Sequence, residues 1–130
     1  PALYICLHAS SLVGSTRVVT AMAAEEGESR GPFLDWATAQ SGPLQTSTAV
    51  QQQLVRSFAD SGLRARAFAA RLRPLNNIAV PAIAIEVAPT AADVSQLTAP
   101  DFDQAISNAL VSGIARLVST LFAGSGAPQP

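Results

Sequence analysis

A chain of 130 residues that is 48% hydrophobic and 13% charged can bury one core and little more, so a single domain is expected. Its eight basic residues, all arginine, oppose nine acidic ones for a net charge of -1, which leaves no electrostatic footprint for nucleic acid. One cysteine excludes an internal disulfide framework, and no unbroken apolar run is long enough to span a bilayer.

The chain opens on Pro1 rather than Met and enters a strand pattern almost at once, so it reads as cut from something longer, with any export signal upstream. Leu3-Tyr4-Ile5-Cys6-Leu7 is the first predicted strand and runs into His8. Ser10, Ser11, Gly14 and Ser15 form a loop to a second strand over residues 17–22. Residues 23–44 are a polar excursion rich in Glu, Gly and Pro, within which Phe33, Trp36 and Ala37 suit a short helix after Pro32. Trp36 either lines a substrate groove or anchors this loop on the core.

A helix follows with Ser47 or Thr48 as N-cap, Gln51 closing a capping box on Thr48, and Val50, Leu54 and Phe58 on one face; Gly62 ends it. Ile83-Ala84-Ile85, running into Glu86, is the most apolar strand pattern. The best helix covers residues 100–122, where Phe102, Ile106, Leu110, Ile114, Leu117 and Leu121 form a stripe, with Thr98 as its cap. Residues 124–130 contain only small residues, Gln and Pro and read as a flexible tail.

The pattern predicts an α/β fold, a mostly parallel sheet flanked by amphipathic helices, with the two apolar strands buried on both faces. Three or four strands are fewer than the five or six of a typical sheet, so an N-terminal portion is expected to be missing. In parallel sheets, substrates gather beyond the carboxyl ends of the strands. If the strands before His8 and Glu86 run parallel, both side chains emerge on one rim, as a metal ligand and a general base.

Each of these residues also has a structural reading. His8 at a strand end serves as a ligand or as a hydrogen-bonded structural residue. Cys6 shares its face, so the two are able to share a metal, while the plainer role for Cys6 is a small buried apolar filler. Glu86 within an apolar run faces a desolvation cost that a partner must meet or chemistry must use. Arg64, Arg66, Arg71 and Arg73 are the predicted partners; they otherwise form a solvated basic edge or hold a substrate carboxylate.

The order of these residues resembles the C-terminal half of the catalytic domain of zinc-dependent N-acetylmuramoyl-L-alanine amidases, which hydrolyse bacterial peptidoglycan. Tyr4-Ile5-Cys6-Leu7-His8-Ala9-Ser10 is similar to that family's strand ending in Ser-Ile-His-Ala-Asn, whose histidine binds zinc. Pro81-Ala82-Ile83-Ala84-Ile85-Glu86-Val87 is similar to its Pro-Ala-Val-Leu-Val-Glu strand, whose glutamate is catalytic, and the segment from Asp101 to Ile114 to its closing helix. The resemblance implies that residues 1–123 are part of an amidase-like catalytic domain in the cell envelope, periplasmic or exported. It implies peptidoglycan as substrate, zinc as cofactor, His8 as metal ligand and Glu86 as catalytic residue.

The sequence departs from the family after Glu86, where Val87-Ala88-Pro89-Thr90 replaces Gly-Phe-Leu-Ser-Asn, and at Ser10, where the family has asparagine. The family's other two zinc ligands lie in its N-terminal half, so this segment alone is expected to bind zinc poorly and be inactive, with the remaining ligands supplied by the upstream half of the same domain. The alternative is a non-catalytic, amidase-like domain that binds or regulates at the envelope.

Overall fold

The structure, a computed structural model, describes residues 2–22 and 39–123. Trp36, the excursion around it and the 124–130 tail lie outside the described residues. In chain order the elements are β1 (Tyr4–Ala9), β2 (Thr16–Ala21), α1 (Leu44–Asp60), β3 (Ala65–Ala70), a 3-10 turn (Leu75–Asn77), β4 (Ala82–Val87), a second 3-10 turn (Val94–Thr98) and α2 (Pro100–Ala123). The four strands form one sheet in the order β1-β4-β2-β3. β1 with β4 and β2 with β3 are parallel, and only β2 with β4 is antiparallel. This is the α/β class expected, and the sheet is mostly parallel.

Alternation along β4 divides the core. Ile83, Ile85 and Val87 point to one face, where they meet Val18 of β2, Val50, Leu54 and Phe58 of α1, and Phe102, Ile106 and Ala109 of α2. Burying each such branched or aromatic side chain contributes about 1.5–3 kcal/mol. Ala82 and Ala84 point to the other face, where a smaller cluster joins them to Val19, Ala21 and Leu75, with Tyr4 and Cys6 at its margin. Among the described residues both long helices cover the first face. The second is covered, among the described residues, only around Leu72, Leu75 and Ile78.

Several expectations are corrected by this arrangement. β4 is buried, but β1 is not buried on both faces: it is half-exposed from Tyr4 to Cys6 and exposed from Leu7 to Ala9. β4 has a neighbour on each side, whereas β1 stands at the edge with one. β3 is not predicted, because Ala65-Arg66-Ala67-Phe68-Ala69-Ala70 has no β-branched residue; among the described residues it pairs with β2 alone and remains largely exposed.

α1 begins three residues before Ser47, with Pro43 at the N-cap position and no side-chain cap. The capping box does not form. Thr48 Oγ1 donates to the Leu44 carbonyl, and the buried Gln51 amide donates to the Val18 and Phe68 carbonyls at 2.7 Å each. Ser47 is buried in a polar knot, donating to Gln40 Oε1 at 3.0 Å and accepting from the Ala82 amide at 3.0 Å. Gln40 in turn donates to the Ile78 and Val80 carbonyls. The knot fixes the start of α1 against the entry to β4.

At its other end α1 stops as predicted. Gly62 has φ +74°, its amide donates to the Ala59 carbonyl and that of Leu63 to Phe58, a closure that favours glycine. In α2, burial follows Phe102, Ile106, Ala109 and Gly113, while Leu110, Ile114 and Leu117 are half-buried. The contact line with α1 thus runs through small residues, and Ser57 Oγ donates to the Ala109 carbonyl at 2.7 Å across it. Thr98 does not cap α2; its hydroxyl donates back to the Ser95 carbonyl.

Candidate functional site

Strand register builds the site. His8 of β1 is the register partner of Glu86 on β4, Glu86 is also the partner of Arg17 on β2, and Arg17 is the partner of Arg66 on β3. Register partners on adjacent strands lie roughly 4.8 Å apart and project to the same face. One rung of polar side chains, His8–Glu86–Arg17–Arg66, therefore crosses the whole sheet on the face that the long helices leave open. The next rung inward is Cys6–Ala84–Val19–Phe68. Because β1 and β4 are parallel, His8 and Glu86 share the rim at their carboxyl ends, where the two strand patterns placed them.

The partner of Glu86 is Arg17, not one of the four arginines singled out in the sequence. Arg17 Nη2 donates to Glu86 Oε1 at 2.6 Å, with the side chains 38% and 32% exposed. A pair this open to solvent contributes about 0–1 kcal/mol to stability. Its effect is geometric: it fixes where the carboxylate points. Arg64, Arg66, Arg71 and Arg73 are all exposed.

His8 is exposed, and its Nε2 lies 2.9 Å from Cys6 Sγ. Cys6 is half-buried and packs at the margin of the smaller cluster rather than inside it. Partial desolvation and the neighbouring Cys6 thiol push the Tyr4 phenol above its ordinary value. Imidazole and thiol are both zinc donors, and they meet on the open face beside Glu86. Among the described residues, however, no group of three or more His, Cys, Asp or Glu is placed to hold a metal ion. A catalytic zinc site takes three protein ligands, so the described residues fit a part of such a site and not the whole.

The loop after Glu86, where the sequence leaves the family pattern, is closed by local bonds. The Thr90 amide donates to Gln96 Oε1 at 2.7 Å, and Asp93 accepts from the Ser95 amide at 2.9 Å. Hydrogen bonds from Ser95 hold the Asp93 carboxyl below its ordinary range. The loop start stays beside the rim, where the Gly14 amide donates to the Pro89 carbonyl at 3.0 Å. Beside the rung, a groove of about 230 Å3 is lined by Leu12, Val13, Arg17, Arg66, Phe68 and Ala88 among others. Arg17, Phe68 and β3 as a whole are the parts of the site that sequence reasoning missed; the alternation of Arg66 and Phe68 with alanines was the available signal.

Neither a protein-family model nor a curated protein sequence matches the chain. Solved structures do. The catalytic domain of CwlV, an N-acetylmuramoyl-L-alanine amidase from Bacillus (Paenibacillus) polymyxa var. colistinus, superposes with a TM-score of 0.61 at 18% identity, over 90% of this chain and 57% of that one. The N-acetylmuramoyl-L-alanine amidase AmiC2 of Nostoc punctiforme gives 0.61 at 11% identity, over 90% and 58%. The chain carries the amidase fold. A third such structure, the apo form of Ami1 from Mycobacterium abscessus, gives 0.53 at 17% identity, over 88% and 55%. The chain thus spans a little over half the length of each amidase it matches. Within this amidase-like fold, among the described residues, no helix is long and apolar enough to cross a membrane.

Proposed function

We propose that residues 1–123 form the C-terminal part of the catalytic domain of an N-acetylmuramoyl-L-alanine amidase, a peptidoglycan hydrolase of the cell envelope, periplasmic or exported. The observation that carries this reading is the pairing of His8 with Glu86 on one open rim of an amidase fold. His8 is the zinc ligand this chain contributes, and the remaining ligands come from the part of the domain that it does not span. Zinc, when bound, supplies polarisation of the scissile carbonyl and a water acidified toward neutrality.

Glu86 then does the proton work. With Oε1 held by Arg17, Oε2 takes the proton of the attacking water and returns it to the nitrogen of the leaving L-alanine, so that the amide between muramic acid and peptide breaks. The test is Glu86→Gln in the full-length protein, for which hydrolysis should fall at least ~100-fold while zinc content is unchanged. Undiminished turnover would remove Glu86 from the mechanism. His8→Ala should lower the zinc content itself, read by metal analysis of the purified variant.

One observation favours a second reading, a non-catalytic amidase-like domain that binds or regulates at the envelope: the carboxylate needed as base is engaged by an arginine. If the full-length protein binds peptidoglycan, releases no peptide from it and behaves identically with Glu86→Gln, this second reading replaces the first.

A further inference from the structure

Past Glu86 the rim continues along the amino ends of β2 and β3 as a cleft. The groove beside Arg17 and a larger hollow of about 710 Å3 share Gly14, Ser15 and Arg66, and the larger one extends to Arg64. Three guanidiniums, those of Arg17, Arg66 and Arg64, therefore line adjoining hollows, and none of the residues lining either is acidic. Glu86 compensates Arg17 alone. Arg17 and Arg66 are register partners, an arrangement of like charges that costs stability unless an anion relieves it, and among the described residues no carboxylate pairs with Arg66 or Arg64. Exposed Leu12, Val13 and Phe68 give the first hollow apolar walls as well.

We infer that this cleft binds an acidic peptide, laid along the rim from Glu86 toward Arg64 with its carboxylates on Arg66 and Arg64. Under the proposed amidase reading, on which this rests, that peptide is the portion of the substrate released at Glu86, and the cleft selects substrates whose peptide carries free carboxylates rather than amides. Guanidinium forks suit carboxylates in a way a neutral amide does not reproduce.

The test is an NMR titration of the protein at low salt with a blocked alanyl-glutamyl tetrapeptide and with the same peptide carrying glutamine. The glutamyl peptide should bind about tenfold more tightly, the preference should shrink as salt screens it, and Arg64→Gln with Arg66→Gln should abolish it. Both arginines are exposed, so the double variant should keep its thermal midpoint, which is measured alongside. Equal binding of the two peptides, or a preference that survives in the double variant, overturns the inference. Hydrolysis of peptidoglycan with no such preference removes the cleft and leaves the amidase reading. The preference without hydrolysis keeps the cleft and removes the amidase.

Discussion

Gln51 shows how a single side chain ties strands to a helix. Its buried Nε2 serves the carbonyls of Val18 on β2 and Phe68 on β3. Gln51→Leu keeps the bulk and strands both acceptors, so the variant should lose about 2–3 kcal/mol, measured by urea unfolding. A change below about 0.5 kcal/mol would mean that water replaces the amide there. The same residue marks a limit of local reading. Thr48 and Gln51 have the spacing of a capping box, but α1 begins at Leu44, so both lie inside the helix and the Gln51 amide serves carbonyls of β2 and β3 instead. For Glu86 the need for a cationic partner was legible from burial alone. Which arginine answers it was not, because Arg17 and Glu86 are 69 residues apart and become neighbours only through the antiparallel register of β2 and β4.

At the scale of elements, the contact between α1 and α2 depends on having little side chain in its middle. A Cβ built at Gly113 would lie 2.6 Å from Leu54 Cδ2 and 3.2 Å from Ser57 Cβ, and both residues are buried. Gly113→Val should therefore destabilise the protein by about 2–3 kcal/mol through overpacking, more than the roughly 1 kcal/mol that glycine costs a helix. Thermal unfolding of the variant measures this; a raised midpoint would show that the helices separate freely. Heptad-like spacing located α2 well, since its length and amphipathic repeat are local properties. It placed the contact line on Leu110 and Ile114, whereas the line follows Ala109 and Gly113, because close helix approach rewards small residues that carry no hydrophobic signal. β3 escaped notice for a related reason: an exposed edge strand of alanines with one arginine and one phenylalanine carries only a weak apolar pattern.

On the scale of the molecule, the sheet has two interior strands, β4 and β2, and, among the described residues, exposed margins. β4 amides are paired on both sides, while β1 has a ladder partner on one side among the described residues. Hydrogen exchange in this chain should be slowest in β4 and at least roughly tenfold faster in β1, where edge openings precede global unfolding. Equal protection of the two strands would show that β1 is covered by something else. The α/β class, the parallel pairing and the rim shared by His8 and Glu86 follow from short apolar runs ending in polar residues, so they were legible. That α1 and α2 share the first face was not, because it depends on both helices packing on the same side.

The order β1-β4-β2-β3 interleaves early strands with late ones, and β4 sits between the two that precede it by the longest stretch of chain. His8, Arg17 and Glu86 meet only when the last strand slides between the first two, a late event, since distant segments must give up loop entropy before any contact rewards them. A nascent or clipped chain without β4 carries an isolated imidazole and a solitary guanidinium. Assembly of the rung and completion of the sheet are then the same event, and withdrawing β4 separates all three side chains at once.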